Sequence, residues 1–262
     1  MPRTHEPFDS SLLYIAAAQV DDLEKIRTAT SNRVRQLTRD VADVDGEERG
    51  FGFDPADPQV APFVATAEGL GKIEAEAVKT LEKVVKLHPL GPWIQKTSGV
   101  GLKQGARLLA ATGDPYIRPE LIRADGAIEA ARPRTVSELW ALCGYAVVDG
   151  EAPRRRKGQV SNWSDEARMR AFLIAESCLK ARTSPYRKVY DDARAKYDAA
   201  VHALDCKRCG PSGKPALAGS PLSKGHAHKR AMRAVSKAVL KDLWTEARRI
   251  HEEADAKQAQ AA

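Results

Sequence analysis

The chain has 262 residues with 42 Lys/Arg against 35 Asp/Glu, a formal net charge of +7, few aromatic residues and four cysteines. That length allows a sizeable core, while so few cysteines exclude a disulfide framework and no apolar run approaches membrane-spanning length. The opening Met1-Pro2-Arg3-Thr4-His5-Glu6 does not read as a signal peptide, so a cytoplasmic, non-membrane protein is expected, with Cys143 and Cys178 as small buried hydrophobes.

Alternating β patterns are scarce, and the expected fold is all-α: a long N-terminal helical hairpin over residues 1–90, a helix-hairpin-helix region over 91–150 and a basic helical domain over 151–262. Asp9 or Ser10 can cap a first helix through Leu13, Ala16, Val20, Leu23, Ile26, Val34 and Leu37, a spacing near a heptad seam. Gly50 to Pro55 breaks it, and a second helix follows from Asp57-Pro58 to His88-Pro89, with Gly69 and Gly71 weakening its continuity. Two such amphipathic helices bury little surface alone, so the hairpin is expected to form a homodimer, or else to touch RNA or pack on the rest of the chain.

Trp93 to Leu109 is the next organised stretch. A short apolar turn enters Gly99-Val100-Gly101, after which Leu102, Ala106, Leu109 and Ala110 recur at helical spacing. This is the pattern of a helix-hairpin-helix, whose glycines permit a tight turn and whose second helix offers unpaired N–H groups to a phosphate. Gly99, Gly101, Lys103 and Arg107 are its candidate nucleic-acid contacts; an ordinary packed corner between helices is the alternative. Pro119 and Pro133 then punctuate an irregular connection before a helix opened by Thr135 or Ser137.

Arg154-Arg155-Arg156-Lys157, between Pro153 and Gly158, is the most basic run. Four adjacent cations repel one another unless an anion compensates them, which favours phosphate contact over a bare surface loop. A helix capped by Asn162 or Ser164 follows, with Met169, Phe172-Leu173, Ala175-Glu176 and Leu179 expected inside and Arg168, Arg170, Lys180 and Arg182 outside. Ser184-Pro185 starts another helix to Ala203, whose tyrosines read as core. The last helix starts at His226, with Lys229, Arg230, Arg233, Lys237, Lys241, Arg248 and Arg249 facing outward and a tail fraying after Glu253.

Cys206-Lys207-Arg208-Cys209-Gly210 has the spacing of a zinc knuckle, in which a tight turn aims two thiolates at one metal. His226 and His228, or His202, can complete a structural zinc site. Free thiols are the other reading, and redox chemistry a poorer third, since the pair lies in a Gly/Pro-rich loop.

The charge is uneven: residues 1–90 carry 11 basic and 16 acidic side chains, the remainder 31 and 19. A polyanion is therefore the expected partner of the last two thirds, and DNA or structured RNA fits better than a membrane surface.

Gly99-Val100-Gly101 with Ala106, Leu108-Leu109 and Gly113-Asp114-Pro115, Leu139 to Gly144-Tyr145, Gly158 to Ser161, Ser184-Pro185-Tyr186, Tyr190, and Gly225 to Ala231 stand in an order that resembles the C-terminal transposase domain of the IS-one-ten insertion-sequence family, over roughly residues 90–250. The resemblance implies a role in RNA-directed DNA recombination, beside a resolvase-like nuclease domain with four acidic residues and a serine proposed as nucleophile. Here no resolvase-like domain precedes the hairpin, and the interval matching that serine reads Gly150 to Arg156, without one. Ser161 is the nearest catalytic candidate, with no evident activating base. The expectation is a nucleic-acid-binding relative without chemistry of its own; the alternatives are an active recombinase working with a nuclease in trans, and a scaffold whose basic surface meets an acidic protein.

Overall fold

The computed structural model describes residues 8–122, 125–147, 152–153, 155, 157–207, 209–211 and 214–261. Among them are eight helices and two small two-stranded sheets, so the fold is largely all-α, as expected.

Helix α1 (Ser11–Thr38) and helix α2 (Ala61–Leu87) are the long N-terminal pair. Gly69 and Gly71 do not interrupt α2; a helical glycine costs only about 1 kcal/mol. The connecting chain folds back on the end of α1, where the N–H groups of Phe51, Gly52 and Phe53 donate to the carbonyls of Gln36, Arg39 and Leu37. Those carbonyls would otherwise be orphaned by the helix end. Asp54 and Asp57 then accept the N–H groups of Ala56 and Gln59 at 2.8 and 2.7 Å, making the turns that launch α2. With Arg27 of α1 paired to Glu74 of α2, the two helices form an antiparallel hairpin.

Ser11–Val84 forms one compact unit; the described residues before and after it form another. The expected 91–150 and 151–262 regions both fall within this second unit. It contains α3 (Gly91–Lys96), α4 (Leu102–Thr112), α5 (Val136–Leu142), α6 (Asp165–Lys180), α7 (Pro185–Asp198) and α8 (Lys224–Ala261). Between α4 and α5 the expected irregular connection is an antiparallel excursion: β1 (Ile117–Arg118) pairs with β4 (Arg132–Pro133), and β2 (Leu121–Ile122) with β3 (Ile128–Glu129). Strands of two residues are too short to show the alternation by which a strand is read from sequence.

Helix α8 is the axis of this unit. Helices α5, α6 and α7 pack on it, while α4 packs on α6. Its buried stripe is Ala227, Ala231, Met232, Val235, Val239, Leu240, Leu243 and Ala247. Side chains from several elements also bond to it: the Trp140 indole donates to the Lys237 carbonyl (3.0 Å), and the Tyr186 hydroxyl to Asp242 (2.9 Å). The helix runs through Ala261 rather than fraying after Glu253, and Arg248–Glu252 and Arg249–Glu253 pairs span the turn that leads up to Glu253.

Helix α6 is rotated from its expected orientation. Ala167, Arg170, Ala171, Ile174, Ala175 and Cys178 face inward, whereas Met169 and Phe172 are 46% and 38% exposed. Small residues at i, i+4 and i+8 let α4 and α8 approach closely, and that fit outweighs the larger side chains on the neighbouring face.

Local caps set the helix starts. Ser164 Oγ accepts the Ala167 N–H (3.1 Å) and Ser184 Oγ accepts the Tyr186 N–H (3.4 Å). Thr135 and Glu138 form a capping box: the Thr135 N–H donates to Glu138 Oε2 (2.8 Å) and the Glu138 N–H to Thr135 Oγ1 (3.3 Å). Hydrogen bonds from Arg132, followed by that from the Thr135 N–H, hold the Glu138 carboxyl at a pKa of about 2, below its ordinary 4.5. Because the folded value is the lower one, the box stabilises α5 fully above pH 4.5 and loses that contribution as pH falls toward 2. Carboxyl-carbon NMR is expected to show Glu138 titrating well below the other glutamates; a midpoint near 4.5 would contradict the box.

Candidate metal centre and cationic surface

The turn predicted at Cys206 to Gly210 forms, and it sits beside the first turn of α8. Cys206 and Ala216 exchange backbone hydrogen bonds (2.7 and 2.9 Å), and the Cys209 N–H donates back to the Cys206 carbonyl (3.4 Å). Gly210 is required next: a Cβ there would lie 1.8 Å from the Lys214 carbonyl oxygen. The turn faces two histidines, one from the preceding segment and one from α8. Donor atoms of His202, Cys206, Cys209 and His226 all lie within 4.8 Å of one another.

This set could hold a metal ion. With about 2.3 Å to sulfur and about 2.0 Å to nitrogen, neighbouring corners of a tetrahedral zinc site lie about 3.3–3.8 Å apart. Here Cys209 Sγ and Cys206 Sγ stand 3.2 and 4.0 Å from His226 Nδ1. His202 is 3% exposed and its Nε2 is buried without a hydrogen-bond partner, a costly state unless something accepts its lone pair or proton. Burial raises the Cys209 thiol, but hydrogen bonds from the Ser223 hydroxyl (3.1 Å) and backbone and from Cys206, with the Arg230 charge, outweigh it and lower the pKa overall.

The structure completes the set with His202 and places His228 elsewhere. The His228 ring meets the Tyr190 hydroxyl at Nδ1 (2.8 Å) and packs edge-on against that phenol. His226 and His228 are two residues apart on one helix, about 200° around its axis, so they face different neighbours. Cys143 and Cys178 are buried free thiols, and desolvation pushes Cys143 up to about 12.

The two helices expected around the glycine turn are present as α3 and α4, but two of the four candidate phosphate contacts, Gly99 and Arg107, are taken up by packing. Gly99 has φ +91°, and a Cβ on it would lie 2.7 Å from Cys178 Cα and 3.1 Å from Ser184 Oγ. It is a close-packing glycine between the hairpin and the α6–α7 corner, where Ser98 Oγ also meets Thr183 Oγ1 at 2.7 Å. Arg107 is 1% exposed, within the buried face of α4 with Ala106, Leu108 and Leu109. Lys103 is half-buried, and Gly101 alone of the four is exposed, as the N-cap residue of α4.

In the basic arm, Arg154 and Arg156 lie outside the described residues. Arg155 is exposed and paired with Asp165 (3.0 Å), and Lys157 is exposed. Among the outward cations of the helices, two sets contrast. Arg187, Lys188 and Arg194 of α7 and Arg248 and Arg249 of α8 are paired with carboxylates three or four residues away. Arg230, Arg233 and Lys237 of α8 and Arg168 of α6 have no ion pair among the described residues; each lies over an aromatic ring instead. Arg230 covers Tyr197, Arg233 covers Tyr145, Lys237 covers Trp140 (3.8 Å), and Arg168 covers Trp163.

Arg233 also donates to the carbonyls of Tyr145 (2.6 Å) and Ala146 (2.5 Å). Desolvation, then the nearby Arg168 charge, lowers its pKa; desolvation, then Arg233, lowers that of Lys237. These positions are legible in the sequence as cations, but which of them lack carboxylates is not. Lys229 is exposed beside them. Ser161 is half-buried in the segment that leads into α6.

No helix among the described residues is long and apolar enough to cross a membrane. No family model, curated protein or solved structure matches the chain.

Gly99→Ala is expected to destabilise the fold by about 2–4 kcal/mol, since the new methyl meets backbone and φ is positive. Gly101→Ala, with open space at its Cβ, should shift stability by less than about 1 kcal/mol. Urea denaturation of both checks this; equal stabilities would mean that Gly99 is not a packing residue.

Proposed function

We propose that the protein binds nucleic acid, gripping the phosphate backbone of DNA or structured RNA through the cations of α6 and α8. The observation that carries this reading is the set of Arg168, Arg230, Arg233 and Lys237, which no carboxylate among the described residues neutralises by an ion pair. Desolvation, with the Arg168 charge beside Arg233 and the Arg233 charge beside Lys237, lowers the pKa of both groups, and a polyanion laid against them would favour their charged forms. The rings beneath the cations orient them and limit the ordering cost on binding. Lys229 and the arm carrying Arg155 and Lys157 add charge, and the family resemblance points to the same class of partner. The reading does not require Gly99 or Arg107, which pack inward.

The metal proposed for the His/Cys group is zinc. Two thiolates and two imidazoles form a soft, four-donor set suited to a closed structural site, with no position left for a reacting water.

The N-terminal hairpin is proposed to pair with a second copy. Leu12, Ile15 and Ile26 of α1 and Phe63 and Ile73 of α2 are each at least half exposed, an apolar surface that self-association would cover. Sedimentation should give the mass of a dimer, and Ile15→Asp with Ile73→Asp should return a monomer; a monomeric wild type would reject this part of the proposal.

For nucleic acid, Lys229→Gln, Arg230→Gln and Lys237→Gln together are expected to lower affinity by about tenfold or more. They should also flatten the salt slope by about one for each phosphate that is no longer neutralised. Arg248→Gln with Arg249→Gln, which removes cations already paired, should have a much smaller effect. Equal effects of the two sets would remove the special role of the unpaired cations.

A further inference from the structure

The segment between α7 and α8 lacks the apolar core that usually folds a stretch of its length. Its two limbs face each other as a narrow ladder: the His202 N–H donates to Ser220, Gly219 to His202, and Leu222 to Ala200, at 2.8, 2.7 and 3.1 Å, beside the Cys206–Ala216 bridge. Asp205 Oδ1 accepts the Ala218 N–H at 2.9 Å. Of the described residues 201–223, His202 and Leu222 are the buried ones, while Leu204 and Leu217 are each 66% exposed. A two-stranded ladder of this kind is marginal in water, and natural small folds of this size are held by a disulfide or a metal.

The cysteines are free thiols, and the only cluster of metal-type donors among the described residues joins this ladder to α8. One donor comes from the first limb of the ladder (His202), two from its turn (Cys206, Cys209), and one from the first helical turn of α8 (His226). Resting on the assignment of zinc to this group, we infer that the ion is the staple that holds the two limbs, residues 200–206 and 216–223, together and fastens them to α8. It replaces the missing core: a single ion cross-links both ends of the segment at once, and its binding is coupled to the segment's folding.

The surroundings support the donors in this role. Ser223 Oγ lies 3.1 Å from Cys209 Sγ and accepts the His226 N–H at 3.2 Å, tying the second thiol to the start of α8. Lys207 within the knuckle, and Lys214 and Lys224 at its flanks, are exposed. Folding of the segment therefore sets where those three cations stand relative to Lys229 and Arg230 one turn along α8.

The test uses the full chain. Elemental analysis of purified protein is expected to give one zinc per chain, and cobalt substitution to give the ligand-field and sulfur-to-metal bands of a tetrahedral two-thiolate site. Hydrogen exchange before and after chelation should show amides of 200–206 and 216–223 losing protection by about tenfold or more, while those of α4 and α6 keep theirs. His202→Ala and Cys209→Ser should each lose stoichiometric zinc with the same local loss of protection, whereas His228→Ala should keep both. A chain that binds one zinc yet keeps the segment protected after chelation would overturn the staple and leave the zinc assignment standing. A chain that takes up no zinc, or that holds a Cys206–Cys209 disulfide in its place, would overturn the assignment as well.

Discussion

Three helices of the larger unit, α5, α6 and α7, are registered on one helix, α8. Alanine and serine along its inner face let α5, α6 and α7 approach closely, and side chains from other elements lock the register. Trp140 and Arg233 tie it to α5 and the chain after it, Tyr186 ties it to α7, and the Trp244 indole donates to the Arg134 carbonyl (2.8 Å). Near its far end the His251 Nε2 meets Asp114 (2.7 Å), with Phe8 stacked on the imidazole. His226, the unpaired cations of α8 (Arg230, Arg233 and Lys237) and this last contact are successive positions on a single helix, so a shift of α8 would displace all three together.

Charge on this protein matters by its compensation more than by its total. A sequence count gives every lysine and arginine equal weight, yet Arg187, Lys188 and Arg194 of α7 and Arg248 and Arg249 of α8 already have carboxylates three or four residues away. Exposed pairs of that kind contribute little to stability and have little field left for a distant anion. The cations of the first half of α8 are different: they meet rings, carbonyls and one another. In the proposed reading, that local excess of positive charge supplies the affinity, and base identity plays no part in it.

What the sequence discloses follows the range of the interactions involved. Helices and their starts are legible because caps and periodicity are local: Ser164, Ser184 and the Thr135–Glu138 box each act within about one turn. The Cys206–Cys209 turn is legible for the same reason. The choice of His202 over His228 depends on where α8 begins and which way its first turn faces, although residues two apart on a helix are poorly placed to share one ion. The inward faces of α4 and α6 depart from expectation because tertiary fit decides them. Arg107 and Gly99 carry the residue types of a phosphate site but are spent on packing, and Met169 and Phe172 look like core residues yet yield to smaller neighbours.

The central claim is that the unpaired cations of α8 and α6 meet a phosphate backbone. It is tested most directly by binding of the nuclease-treated full chain to labelled duplex DNA, single strands and structured RNA across a salt series. The account predicts tight binding to at least one of these at low salt, with an affinity that falls steeply as salt rises. Absence of binding to all three at low salt would contradict it.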